Sequence, residues 1–291
     1  MTAPPPRFGL HTSTAGGLDN AAQEALAVGA DCMQIFSSSP RTWKANPVDP
    51  IRAKTFQLLR DKHGLHPLAI HCNYLINLAS TDAEVLEKSV RSLRGEMERA
   101  VTIGADFLVL HPGSKKNHPD AETAIQFAAA AIHTAARGLT FGKLKVLFEN
   151  TAGAGQSIGS RFEELAMLTA MVHQLDGGEF PAGYCIDTCH CYAAGYDVAT
   201  EDGLSDTVLQ MDSILGLRNI PMFHANDSKG ALGSHLDRHA NIGFGQIGAD
   251  GFRRILTHPQ LAPGKAFILE TPLDDGWAQK DMEALRSLSM G

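Results

Sequence analysis

Leu108-Val-Leu-His111 is a short apolar run that stops on an imidazole. Five other runs stop in the same way: Leu68-Ala-Ile-His71, Val146-Leu-Phe-Glu149, Tyr184-Cys-Ile-Asp187, Met222-Phe-His224 and Phe267-Ile-Leu-Glu270. Each reads as a buried parallel strand, apolar because both of its faces are covered. Ligand-type side chains at strand carboxyl ends are the sequence mark of a barrel active site. Six endings drawn only from His, Asp and Glu point to a metal cluster.

The segments between these runs carry apolar residues at three- and four-residue spacing, as amphipathic helices do. Strand-like runs fall at 7–11, 32–36, 68–72, 106–111, 145–149, 183–187, 221–226 and 266–270, each followed by a helical pattern. Thr81 and Glu84 are spaced as a capping box for the third helix. Strict strand–helix alternation leaves two choices, a closed barrel or an open doubly wound sheet. No Gly-x-Gly-x-x-Gly follows the first strand, which removes the main support for a dinucleotide fold. An open sheet also gathers its functional side chains at one switch point, whereas here they end nearly every strand. The expected fold is therefore α/β, a single (β/α)8 TIM barrel over residues 1–291, with 1–6 flexible.

The bulk numbers agree. At 291 residues and 44% hydrophobic content the chain has room for one barrel of about 250 residues and little more. No stretch approaches the roughly 20 apolar residues of a membrane span, and Met1–Arg7 lacks the apolar core of a signal peptide. A soluble cytoplasmic protein that does not engage a membrane is expected. The five cysteines read as reduced core residues rather than a disulfide scaffold, and Cys185, two positions before Asp187, should face into the barrel. The formal net charge of -7 argues at first against a nucleic-acid partner. Three bound divalent cations would nearly cancel it, and a cleft mouth lined by them would be positive, so bulk charge does not decide the partner.

Three more ligand candidates join the six. His190 stands three residues after Asp187, and Asp237 and His239 form an Asp-x-His pair. Nine such residues are too many for one tetrahedral ion. Shared among three, they leave positions open for water or phosphate. Buried carboxylates at 149 and 270 need a partner, and a metal supplies one. His11 also ends a strand and reads as a group that orients a ligand or water. Gly153 and Gly155 suit either a turn or a close phosphate approach. Arg41, Trp43, Tyr74, Lys115, Lys116, Lys229 and Arg238 fall on the same side of the barrel, the two adjacent lysines as an ordinary solvated rim. Tyr74 beside Leu75 is the kind of wedge that enters a stacked duplex.

These residues form longer motifs. Gly183-Tyr-Cys-Ile-Asp-Thr-Cys-His-Cys-Tyr-Ala-Ala-Gly-Tyr-Asp197 closely resembles the signature of endonuclease IV, the zinc-dependent apurinic/apyrimidinic endonuclease family. His111-Pro-Gly-Ser, Glu149-Asn-Thr-Ala-Gly, Asn226-Asp-Ser-Lys and Asp237-Arg-His239 match as well, and the likeness runs over essentially the whole chain. It implies a (β/α)8 barrel with three Zn2+ per chain. His71, His111 and Glu149 would hold one. Glu149 would bridge to a second, held also by Asp187, His224 and Glu270. His190, Asp237 and His239 would hold the third. Mn2+ or Fe2+ at individual positions suits the same donors.

The resemblance further implies a monomer that acts on double-stranded DNA containing abasic sites or blocked 3′ ends. Glu149 and Glu270 would take the catalytic roles, and Arg41, Tyr74, Leu75, Lys229 and Arg238 the DNA contacts. In the loop Ser39-Pro-Arg-Thr-Trp43, family members often carry Asn or Gln where this chain has Ser39 or Thr42. Two rivals remain open on sequence alone. Sugar isomerases and epimerases of the xylose-isomerase type share the barrel but normally lack the trio His190, Asp237 and His239. A non-catalytic damage-sensing module would bind DNA and never nick it.

Overall fold

Eight short strands, all apolar inside and all parallel, close on one another into a barrel in the computed structural model, which describes residues 4–290. In chain order they are β1 (Arg7–His11), β2 (Cys32–Phe36), β3 (Leu68–His71), β4 (Phe107–Leu110), β5 (Lys145–Glu149), β6 (Ala182–Asp187), β7 (Met222–His224) and, after a small ribbon, β10 (Ala266–Leu269). Each pairs with its sequence neighbour, and β1 pairs with both β2 and β10, so no barrel edge is left open. The ribbon joins β8 (Asp227–Ser228) to β9 (His239–Ala240) antiparallel, beyond the carboxyl end of β7. The expected eight strands and the closed barrel are borne out. Within the expected flexible stretch 1–6, residues 1–3 lie outside the described range, and the carbonyl of Pro4 accepts from Gly264 N at 2.7 Å.

The crossovers are α1 (Leu18–Ala27), α2 (Pro50–His63), α3 (Ala83–Ile103), α4 (Ala121–Ala136), α5 (Phe162–Asp176), α7 (Glu201–Ile214), α8 (Gly248–Thr257) and α9 (Trp277–Ser289). Their apolar faces and the outward faces of the strands make the main core. The expected capping box at the third helix is not what forms. Asp82 caps α3, accepting from Glu84 N and Val85 N, so its carboxylate takes the Glu84 amide that Thr81 would serve and the start of the helix shifts by one residue. A further helix, α6 (Thr188–Ala194), was not foreseen; it starts where β6 stops, with Asp187 as its cap.

The barrel interior is a second, smaller core. Cys32, Ala69, Val109, Leu147, Cys185, Met222, Ala266 and Ile268 fill it, from every strand but β1, the last two both from β10. On β1 the slot is Gly9, where an added Cβ would stand 2.0 Å from the carbonyl oxygen of Cys32. All five cysteines are free and buried, and Cys185 does face inward. No helix among the described residues is long and apolar enough to cross a membrane.

Candidate metal centre

Side chains alternate along a strand, so the residue two places after each interior residue faces the barrel axis again, one layer higher. That rule converts the interior layer into the rim. After Gly9, Cys32, Ala69, Val109, Leu147, Cys185, Met222 and Ile268 come His11, Gln34, His71, His111, Glu149, Asp187, His224 and Glu270. In register Asp187 lies level with His224, whereas Glu149 lies level with Cys185, two residues before the end of β6, the stagger that the slant of a barrel produces. Eight polar side chains thus ring the carboxyl mouth of the barrel.

Three groups of potential ligand atoms form within this ring and the loops beside it. His71, His111 and Glu149 make the first, Glu149, Asp187, His224 and Glu270 the second, and Asp187, His190 and His239 the third. Glu149 belongs to two groups through different oxygens. Its Oε2 lies 3.2 Å from His71 Nε2 and 2.9 Å from His111 Nε2, and its Oε1 lies 2.9 Å from His224 Nδ1. Asp237, half exposed, brings Oδ1 to 3.3 Å from His190 Nε2 and 3.4 Å from His239 Nε2. All nine expected ligand residues therefore converge. One detail differs from the expectation: Asp187 stands in both the second and third groups, since capping α6 puts it one turn from His190.

The protonation pattern fits cations. His71 Nδ1 and His190 Nδ1 each face a backbone carbonyl, of Cys72 at 2.7 Å and Asn150 at 2.9 Å, and His239 Nδ1 faces that of Glu270 at 3.2 Å. A carbonyl only accepts, so each Nδ1 carries the hydrogen and each Nε2 turns a bare lone pair to the cluster. His224 is reversed, since its Nε2 donates to Gln34 Oε1 at 2.9 Å and leaves Nδ1 for the cluster. The Nε2 atoms of His190 and His239 are buried with no hydrogen-bond partner. Their 3.3–3.4 Å spacing from Asp237 Oδ1 is the spacing of atoms about 2.0–2.1 Å from one tetrahedral ion.

Charge points the same way. Burial pushes the Glu149 carboxyl up, but His224, His111 and His190 outweigh it and hold the group well below the ordinary carboxylate range. Burial likewise opposes ionisation of Glu270, and His224, His11 and His71 pull it down. Burial alone would lower His190, yet Asp187, Asp237 and Glu149 hold it well above the usual imidazole value. So much carboxylate charge calls for positive charge at the mouth, and divalent cations answer it more fully than protons.

Supporting residues complete the centre. Gln34, buried in β2, donates from Nε2 to Glu270 Oε1 at 2.6 Å and to His11 Nδ1 at 3.0 Å, and its Oε1 accepts from His224. Asn226 donates to Asp187 Oδ2 at 2.6 Å and accepts from Glu270 N at 2.8 Å. Asn150 accepts from Asp187 N at 2.7 Å. Sequence reasoning gave no role to Gln34 or Asn150 and quoted Asn226 only within a motif. His11, expected as an orienting group, stands 3.6 Å from Glu270 Oε1.

The expected DNA contacts sit around the mouth. Arg41, Tyr74, Lys229 and Arg238 are exposed, and Leu75 is half-buried. The Tyr74 ring, open to solvent on its outer side, lies 5.7 Å from that of His71; loss of water on the inner side, and then the charges of Glu270 and Glu149, push its phenol up to about 12. Lys229 and Arg238 stand opposite each other on the ribbon, with Lys229 N donating to Arg238 O at 2.9 Å.

Residues 22–288 match the family described as xylose isomerase-like TIM barrel. A probable endonuclease 4 of Solibacter usitatus is 49% identical over 97% of this chain and 97% of its own length. The crystal structure of endonuclease IV from Thermus thermophilus superposes with a TM-score of 0.84 at 40% identity, covering 97% of this chain and 98% of that one. A D-tagatose 3-epimerase-like protein, at 18% identity and a TM-score of 0.69 over 97% of this chain and 96% of its own, shares the barrel and shows the fold alone. The chain belongs to the endonuclease 4 family of metal-dependent nucleases, within the xylose isomerase-like TIM barrels.

Proposed function

We propose that the protein is a DNA repair endonuclease that hydrolyses the phosphodiester on the 5′ side of an abasic nucleotide, leaving a 3′-hydroxyl and a 5′-deoxyribose phosphate. The same site would trim blocked 3′ ends. The observation that carries the reading is the joining of three ligand groups through two shared carboxylates, Glu149 and Asp187. His71, His111 and Glu149 would hold one Zn2+. Glu149, Asp187, His224 and Glu270 would hold the second, and His190, Asp237 and His239 the third. When bound, such ions lower the pKa of water towards neutrality and neutralise charge that builds on a phosphoryl group.

The chain's own residues do the rest. Glu149, locked between imidazoles on both oxygens, fixes the spacing of the first two groups. Glu270 is the second-group carboxylate left partly open, with its side chain 15% exposed; Gln34 holds its Oε1, its Oε2 faces the second group 3.3 Å from His224 Nδ1, and from there it would orient the attacking water and assist its deprotonation. Gln34, Asn150 and Asn226 keep the ligands from rotating as charge moves. Arg41, Tyr74 and Leu75 enter the duplex on one side of the mouth, and Lys229 and Arg238 meet phosphates on the other. Selectivity follows from cost: a nucleotide without a base has already lost its stacking and pairing, so turning it into the barrel mouth is cheaper than turning out a normal one.

The test is product analysis. A duplex with one abasic site should be cut on its 5′ side to a 3′-hydroxyl, the intact duplex should survive, and Glu149→Gln should abolish the cut. Equal cleavage of both duplexes, or an undiminished Glu149→Gln enzyme, would overturn the proposal.

A further inference from the structure

The loops after β2 and β3 are bonded to each other on both sides of Arg41. Pro40 O accepts from Tyr74 N at 3.1 Å, and Thr42 O accepts from Asn73 Nδ2 at 3.4 Å. Asn73 is buried and reaches three ways. Its Nδ2 also donates to Ser92 Oγ on α3 at 3.2 Å, and its Oδ1 accepts from Leu75 N at 2.9 Å. One amide therefore ties the backbone that carries Arg41 to the turn that carries Tyr74 and Leu75.

A second anchor holds the start of the same loop. Glu96 on α3 is buried, 1% exposed, and lies 3.0 Å from the guanidinium of Arg99 one turn on. Its carboxylate accepts from the hydroxyl of Ser37 and, at 3.3 Å, from that of Ser38. Arg99 Nε donates back to Ser37 Oγ at 2.7 Å, closing a triangle of Ser37, Glu96 and Arg99. A buried ion pair contributes little net stability, and an apolar pair would fill that space as well. What this pair does is fix two hydroxyls at the root of an otherwise exposed loop.

We infer that Asn73 and the Ser37–Glu96–Arg99 triangle are positioning residues that make Arg41, Tyr74 and Leu75 a single preset recognition element, and that they set selectivity for an internal lesion rather than the hydrolytic step. The inference rests on the functional reading above. An internal abasic nucleotide must be drawn out of a continuous duplex, which needs the element in place before binding. A blocked 3′ end frays without help and needs no wedge. The two activities of one site should therefore separate.

The experiment compares wild type with Ser37→Ala and Asn73→Ala, both metal-loaded, on a duplex with one internal abasic site and on a duplex with a recessed 3′-phosphate. Ser37→Ala leaves the Glu96–Arg99 pair intact, so it reads the loop without exposing a buried charge. Both variants should raise KM for the abasic duplex roughly three- to tenfold, the loss expected for one or two hydrogen bonds, with kcat on the 3′-phosphate substrate within about twofold of wild type. Trypsin should cut after Arg41 faster in the free variants than in free wild type. Equal loss on both substrates, or no change on either together with unchanged proteolysis, would overturn the inference. A wild-type protein inactive on both substrates would instead overturn the functional reading, and this inference with it.

Discussion

Gln34→Leu is the perturbation whose effect can be followed furthest from the structure. The substitution keeps volume and burial but removes three hydrogen bonds: to Glu270 Oε1 at 2.6 Å, to His11 Nδ1 at 3.0 Å and from His224 Nε2 at 2.9 Å. His224 is fully buried, so its Nε2–H would be left without a partner, at a cost of about 1–3 kcal/mol in the metal-free protein. The ring would also lose the contact that fixes its tautomer. Outer partners of metal ligands of this kind govern about 10–100-fold in affinity. The loss should fall on the ion held by Glu149, Asp187, His224 and Glu270. The ion held by His71 and His111 should be spared, since His71 is oriented by the Cys72 carbonyl instead. Stepwise zinc competition against a chromophoric chelator reads each affinity, and urea unfolding of the metal-free protein reads the stability term. Three unchanged affinities would refute the reasoning that assigns Gln34 this role.

Other outcomes follow from single residues. Asp227 is buried and accepts from the amides of Gly243, Gly245 and Ile247 at 3.0, 2.9 and 3.0 Å, so Asp227→Asn, which turns an NH2 toward some of these donors, should cost about 2–4 kcal/mol in urea unfolding. Asp197 carries a pH signature. Burial pushes it up, but the Thr200 hydroxyl and the amides of Ala199 and Thr200 outweigh this and hold it below its usual value. A carboxyl depressed on folding gives stability that is present above its unfolded pKa, near 3.9, and is lost as pH falls through the folded value. Asp197→Asn should therefore flatten the acid side of the stability–pH curve and leave the neutral-to-alkaline side parallel to wild type. A wild-type curve no steeper than the variant's below about pH 4 would contradict this.

The barrel was legible in the sequence because its strands are buried on both faces and six of their apolar runs stop on an acid or an imidazole. A lone histidine such as His111 after Leu108-Val-Leu could be a hydrogen-bonded core residue; six such endings together are what point to a metal cluster. Six of the nine potential ligands were legible for the same reason, and His190, Asp237 and His239 by their spacing as His three residues after Asp187 and as an Asp-x-His pair. Gln34 was missed because β2 runs two residues past it, to Phe36, so it does not stand at the end of its apolar run. The alternation rule would have found it, two positions after Cys32. Asn150 was missed because its work is done through backbone contacts to Asp187 and His190, which sequence spacing does not encode. The cap of α3 was misread because Thr81 and Asp82 compete for the Glu84 amide, and a single residue of register decides between them. Helix α6 was hidden by its length of seven residues, too short for an apolar period to show. The sharing of Asp187 by two groups depends on that hidden helix.

The most direct measurement of the central claim is the metal content of the purified protein by elemental mass spectrometry, set against protein concentration by amino-acid analysis. The account predicts three divalent ions per chain, falling to two in His239→Ala with the fold retained. A saturating content of one or two ions in the wild type would contradict it and return the barrel to the isomerase and epimerase kind of site.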